Sequence, residues 1–135
     1  MWNYNHSDEL YHYGVKGMKW GVRRALKTAN KRIEGGRKEI QYYKDVKKDI
    51  KSGNWRKRGY YNAQQANKDL ANWDRLQKAT EKSVRKWTAV NKKLMSQSVT
   101  DVALAKSTIK EGSDYAKQVM NDAYREVMRN PARAF

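Results

Sequence analysis

Apolar side chains recur at intervals of three, four and seven residues along three long stretches of the chain, as one face of an α-helix requires. These stretches predict helices at about 24–52, 61–95 and 101–129. The apolar positions are Leu26, Ile33, Ile40, Tyr43, Val46 and Ile50, then Ala63, Ala66, Leu70, Trp73, Leu76, Val84, Trp87, Val90 and Leu94, then Val102, Ala105, Ile109, Ala116, Val119, Met120, Ala123 and Val127. Since β-branched residues rarely alternate with polar ones, strands are not expected, and the sequence predicts an all-α protein.

Glycine, asparagine and proline mark the predicted ends of these helices. Gly53-Asn54 follows the first stretch and Asn130-Pro131 ends the third. Thr100 or Asp101 can cap the third helix by accepting a hydrogen bond from its free N–H groups. Gly35-Gly36 lies inside the first stretch, where each glycine lowers helix propensity by roughly 1 kcal/mol relative to alanine. A kink or break at this pair is an alternative to one continuous helix.

The predicted architecture is an elongated antiparallel three-helix bundle, because short connections place sequential helices side by side. Helical hairpins that bundle only with other subunits are an alternative. The seven-residue spacing of small apolar side chains also suits a coiled-coil homo-oligomer. Residues 1–23 are predicted to form an irregular N-terminal arm, and residues 24–135 a basic helical domain.

The chain is strongly basic, with 30 Lys and Arg against 14 Asp and Glu and a net charge of +16. This excess opposes compaction unless an anionic partner neutralises it. DNA, RNA, an anionic membrane surface or an acidic protein face would each serve. The excess is concentrated in the first predicted helix and the connection after it, so the binding face is expected there. The cations of that helix are Lys27, Lys31, Arg32, Arg37, Lys38, Lys44, Lys47, Lys48 and Lys51.

The connection between the first two helices interleaves cations with aromatic side chains. It contains Trp55, Arg56, Lys57, Arg58, Tyr60 and Tyr61. Cations can neutralise phosphates while aromatic rings stack on unpaired bases, so this segment is the best candidate for nonspecific nucleic-acid binding. The alternative is a basic loop in which Trp55 and Tyr60 cover the end of the core. The chain carries no helix-turn-helix, zinc-finger or RNA-recognition signature, which argues against sequence-specific regulation.

The residue types in this chain argue against a catalytic site or a metal site. The chain has no cysteine, and its two histidines, His6 and His12, lie in the predicted arm. No carboxylate pair stands in an apolar setting that would shift its pKa. We therefore expect no enzyme, no cofactor and no metal site.

Export and membrane insertion are not expected from the sequence. The N-terminus lacks the basic start and apolar run of a secretory signal, and no stretch reaches about 18 consecutive apolar residues. A basic amphipathic helix lying on an anionic membrane is the minor alternative.

One segment, from His12 to Arg24, has a pattern unlike a helix. Three glycines, Gly14, Gly17 and Gly21, permit tight turns, while Met18 and Trp20 offer large apolar groups with nothing local to cover them. These features are typical of a docking peptide. The glycine spacing fits neither the dinucleotide fingerprint nor the P-loop. Alternatively, Met18 and Trp20 fold back over one end of the bundle, while Arg23 and Arg24 open the first helix.

This segment resembles a short module of the form His-x-Gly-x-x-Gly-x-Lys-Trp-Gly-x-Arg-Arg, found in proteins of phages and prophages. The matching residues are His12, Gly14, Gly17, Lys19, Trp20, Gly21, Arg23 and Arg24. The resemblance implies a virion or head-morphogenesis protein that docks onto a capsid, portal or other virion protein. A scaffold that drives shell assembly through helix-mediated oligomers is a further alternative. The resemblance also implies a place in the phage particle, which we expect to be the head interior beside packaged DNA, and in the host cytoplasm during assembly. Here the motif runs directly into a predicted helix at Ala25, whereas many members continue with a Tyr-Gln-Asn type segment.

Overall fold

The computed structural model of the protein describes residues 20–96 and 102–132. Three long helices, α1 (Trp20–Lys51), α2 (Ala63–Met95) and α3 (Val102–Arg129), make up most of these ranges, and a short 3₁₀ helix (Trp55–Arg58) lies between α1 and α2. Residues 20–96 and 102–132 contain no strand. The three helices pack against one another, which confirms the predicted all-α bundle.

Helix α1 begins at Trp20, four residues before the predicted start, so the predicted irregular arm, residues 1–23, is wrong for residues 20–23. The extra turn carries Val22, which lies one turn before Leu26 and is only 1% exposed. Burying a valine side chain is worth about 1.5–3 kcal/mol, which outweighs the roughly 1 kcal/mol that Gly21 costs in helix propensity. Helix α1 also runs through Gly35 and Gly36 without a break.

Helix α2 begins at Ala63 because Asn62 caps it. The Asn62 side chain accepts a hydrogen bond from the Gln65 N–H at 2.8 Å. The Gln65 side chain in turn accepts one from the Tyr61 N–H at 2.9 Å. Two N–H groups at this helix end, which otherwise lack a partner within the helix, are thereby satisfied. The predicted caps of the third helix, Thr100 and Asp101, lie outside the described residues.

The buried apolar side chains form two clusters, one toward each end of the bundle. The first, here the three-helix core, comprises Val22, Ala25, Leu26, Ala29, Ile33, Trp87, Val90, Leu94 and Ala105. The second, here the two-helix core, comprises Val46, Ile50, Tyr60 and Ala66, with Trp55, Leu70 and Trp73 packed against it. The start of α1 thus meets the end of α2 and the start of α3, as an antiparallel arrangement requires.

We call these two regions the motif end and the turn end. Of the three helix pairs, α1 and α3 contact each other least. None of the described helices is long and apolar enough to cross a membrane.

Candidate docking and nucleic-acid surfaces

The docking motif is only partly within the described residues. His12, Gly14, Gly17, Met18 and Lys19 lie outside them, as does the side chain of Trp20. The backbone of Trp20 opens α1, so the motif passes directly into the first helix.

The last residues of the motif pack at the motif end of the bundle. A β-carbon added to Gly21 would stand 2.6 Å from both terminal methyl carbons of Val102 on α3, so α1 and α3 meet there only because Gly21 has no side chain. Arg23 is 2% exposed, whereas Arg24 is exposed. Of the two arginines expected to contact a partner, Arg24 is therefore the one that faces solvent, and Arg23 belongs to the packed bundle end.

The segment proposed for nucleic-acid binding is divided between the core and the surface. Tyr60 is 5% exposed, so its ring does not face solvent for stacking on a base. Its hydroxyl donates a hydrogen bond to the Asp69 carboxylate and accepts one from the Trp73 indole N–H at 2.8 Å. Trp55 packs half-buried against the same two-helix core. This covering role is the alternative that the sequence left open for Trp55 and Tyr60.

Arg58 also serves the fold. Its guanidinium contacts the Asp49 carboxylate from Nε at 2.9 Å and from Nη2 at 2.8 Å, and lies over the ring of Tyr42. Two charged N–H groups that converge on the same Asp49 oxygen, Oδ2, fix the 3₁₀ helix to the end of α1. The exposed members of the segment are Arg56, Lys57 and Tyr61, and Tyr61 is 88% exposed.

A groove of about 580 Å³, here the lysine groove, lies near the end of α1. Its lining consists of Lys44, Lys47, Lys48, Lys51, Ser52 and Gln77. Lys47 is held by Asp74 on α2 at 3.1 Å. The pKa of Asp74 is lowered, chiefly because Lys78 donates a hydrogen bond to it and also because Lys47 does. Lys44, Lys48 and Lys51 are exposed and offer their ammonium groups to an anion.

The described residues offer no group of three or more histidine, cysteine, aspartate or glutamate side chains that could hold a metal ion. The contacts seen at the two surfaces are hydrogen bonds, ion pairs and apolar packing.

A model for a family of unknown function (DUF7211) matches residues 5–27. Neither a curated protein nor a solved structure matches the chain. The matched segment contains the whole motif from His12 to Arg24 and ends two turns into α1. Most of α1 and all of α2 and α3 lie beyond it.

Sequence reasoning named the lysines of α1 but not the groove. The sequence feature that could have indicated the groove is their spacing of three, four and seven residues. This spacing places Lys44, Lys47, Lys48 and Lys51 on neighbouring positions of one helix. The facing wall is Gln77 of α2. Because Gln77 is far from the α1 lysines along the chain, no local sequence pattern indicates that they line the same groove.

Proposed function

We propose that this protein is a virion-associated protein of a phage or prophage, which docks through the motif His12–Arg24 onto a capsid, portal or other virion protein. The observation that carries the proposal is the position of the family match. Residues 5–27 match as a segment of their own, while most of the helical bundle lies outside the match. This is the pattern expected of a portable docking module joined to a separate domain.

The join between motif and bundle supports the same role. Gly21 lets the start of α1 approach α3, and Val22 is buried in the three-helix core. A docking segment attached to a fixed helix end has fewer orientations than one on a flexible linker. Less conformational freedom is then lost on binding, which favours affinity.

The test is mass spectrometry of purified particles from cells carrying either the intact gene or a version lacking residues 12–19. The deletion stops at residue 19 because Val22 and Arg23 are buried, and removing them would damage the bundle. We expect the protein in particles only with the intact gene. Circular dichroism of the purified variant serves as the control, and its helical signal should be unchanged.

The two contrary outcomes are distinct. Equal amounts in both particle preparations would show that the motif does not dock the protein. Absence from both would refute the virion role itself.

A second candidate function is nucleic-acid binding without sequence specificity, and the turn end favours it. The lysine groove presents Lys44, Lys48 and Lys51, and the nearby 3₁₀ helix exposes Arg56 and Lys57. In a phage particle the natural polyanion is packaged DNA. Contacts of this kind bind phosphate and read no bases.

DNA titrations across a salt series test this second candidate. Each phosphate contact contributes about 0.9 to the slope of log affinity against log salt. Replacing Lys44, Lys48 and Lys51 by glutamine should lower that slope by about 2 to 3. The matched control replaces three exposed cations of α2 (Lys82, Arg85 and Lys92) in the same way. An equal fall in the control would mean that net charge alone holds the DNA.

A further inference from the structure

A groove follows the poorly filled interface between α1 and α3. Its first section, of about 570 Å³, begins at Gly21 and Val102 and reaches Thr28 and Ile109. The second section, of about 360 Å³, continues along the same two helices as far as Glu39 and Asn121. Because Thr80, Ser83 and Trp87 of α2 also line the second section, α2 forms its floor. We call the two sections together the α1–α3 groove.

The dimensions of this groove suit a helix. Glu39 lies 18 residues after Gly21 on α1, a distance of about 27 Å at 1.5 Å per residue. The walls of the second section include three small residues, Gly35, Ser113 and Ala116. A β-carbon added to Gly35 would meet nothing within 4 Å. Small side chains let a further helix approach closely, as neighbouring helices of a four-helix bundle do. Ile109 and Met120 supply apolar surface at half-buried positions.

The rim of the groove carries mainly positive charge. Lys31, Arg32, Lys106 and Lys117 line it, and among the described lining residues Glu39 is the one carboxylate. Within residues 20–96 and 102–132, none of these four cations forms an ion pair. A helix with acidic side chains on both sides of an apolar stripe would fit this groove. Its acidic side chains would neutralise the positive charges of the rim, and its apolar stripe would cover the floor. Basic occupants are disfavoured by the same charges.

We propose that the α1–α3 groove binds an acidic amphipathic helix of a partner protein, so that the occupant completes a four-helix bundle. A second copy of this chain fits less well, because two bodies of net charge +16 repel each other. The inference goes beyond the virion role and does not depend on the N-terminal motif.

The probe is a synthetic 18-residue helical peptide with a Leu and Ala stripe flanked by Glu, labelled with fluorescein. Fluorescence anisotropy measures its binding to the full chain at physiological salt. A scrambled peptide of the same composition has the same charge but no stripe. We expect the scrambled peptide to bind at least tenfold more weakly.

Two pairs of variants locate the binding site. Gly35→Leu places an apolar side chain in the groove, at a position where an added β-carbon meets nothing within 4 Å, and should weaken peptide binding at least tenfold. Ala89→Leu, at an exposed site on α2, should leave binding unchanged. Arg32→Glu with Lys117→Glu should weaken binding more than tenfold. Lys82→Glu with Arg85→Glu changes the net charge equally outside the groove and should have a much smaller effect.

Four outcomes would overturn the proposal. Equal binding of both peptides would mean that charge alone attracts them. Equal effects of the paired variants would place the peptide elsewhere. Zero-length cross-links from Asp8 or Glu9 to Lys31 or Lys117 that persist with saturating peptide would assign the groove to the chain's own N-terminal segment. Self-association that Gly35→Leu abolishes would assign it to a second copy.

Discussion

The motif end and the turn end of the bundle are stabilised by different chemistry. At the motif end, Gly21 and Gly112 let helices approach until Val102 and Trp87 fill the space that a side chain would take. At the turn end, aromatic residues are joined by hydrogen bonds around Tyr60. The first end depends on close packing of three helices, and the second on the apolar contacts of Val46 and Ile50 together with hydrogen bonds that join the connection at Tyr60 to α2. The motif therefore joins the bundle at the end where glycines let the helices approach closely, and the cations of the lysine groove lie at the end that has more hydrogen bonds.

The largest expected difference between the ends comes from their tryptophans. Trp87 is 3% exposed, and Trp87→Ala should cost about 3–5 kcal/mol because it leaves a cavity beneath Gly112. Trp73 is half-buried, and Trp73→Ala should cost about 2 kcal/mol, including the lost bond to Tyr60. Urea unfolding followed by circular dichroism measures both. Equal losses would contradict the distinction between the ends.

Glycine is needed for a different reason at each end. A β-carbon at Gly112 would stand 3.0 Å from Val90 and 3.1 Å from Trp87, so Gly112→Val should cost about 1–3 kcal/mol by overpacking. Gly53 has open space around it but a φ of +90°, so Gly53→Val should cost about 1–2 kcal/mol through backbone strain.

Asparagine substitutions separate the two causes. Asparagine tolerates positive φ better than other residues with side chains. Gly53→Asn should therefore recover most of the stability lost in Gly53→Val, whereas Gly112→Asn should be no better than Gly112→Val. Recovery at both positions would mean that strain, not space, governs Gly112.

A smaller effect is expected from the cap that starts α2 at the turn end. Asn62 accepts a hydrogen bond from the Gln65 N–H, so Asn62→Ala should lower the unfolding free energy by about 1 kcal/mol. Asn54 precedes the 3₁₀ helix without a side-chain cap bond, and Asn54→Ala should change it by no more than a few tenths. Thermal unfolding of the pair is the measurement. If both variants were equally destabilised, the Asn62 cap would not be the cause.

The sequence predicted the helices well because their apolar stripes are local. The start of α1 was missed since Gly21 looks unfavourable in isolation. The burial of Val22 outweighs that cost, and Gly21 leaves the space that Val102, 81 residues away along the chain, occupies. The neighbours Gly35 and Gly36 illustrate the same limit. Gly36 packs tightly against Val84 of α2, while Gly35 opens into the α1–α3 groove.

The sequence indicated which types of residue form the candidate sites, but not which of these residues are exposed. A basic, aromatic connection indicates polyanion binding, and Arg56, Lys57 and Tyr61 are exposed as such a role requires. Tyr60 differs because its burial depends on Asp69 and Trp73, which lie about two and three turns into the next helix. Helix packing, which the local pattern does not contain, decides which of these neighbouring residues are buried.

The smallest expected effect is the acid dependence of Asp74 at the turn end. Its pKa lies below the ordinary 3.8, chiefly because Lys78 donates a hydrogen bond to it. A lowered folded pKa stabilises the protein above about pH 3.8, and this contribution disappears as pH falls through the lower folded value. The Asp74 side chain is 41% exposed, so solvent screening limits the effect of Asp74→Asn to about 0.5 kcal/mol at pH 7. Urea unfolding at pH 7, 4 and 2.5 should show the difference from wild type shrink as the pH falls, while Asp122→Asn, in a looser pair at 3.7 Å, changes little throughout. A difference that stays constant down to pH 2.5 would mean that Asp74 acts through packing and not through its charge.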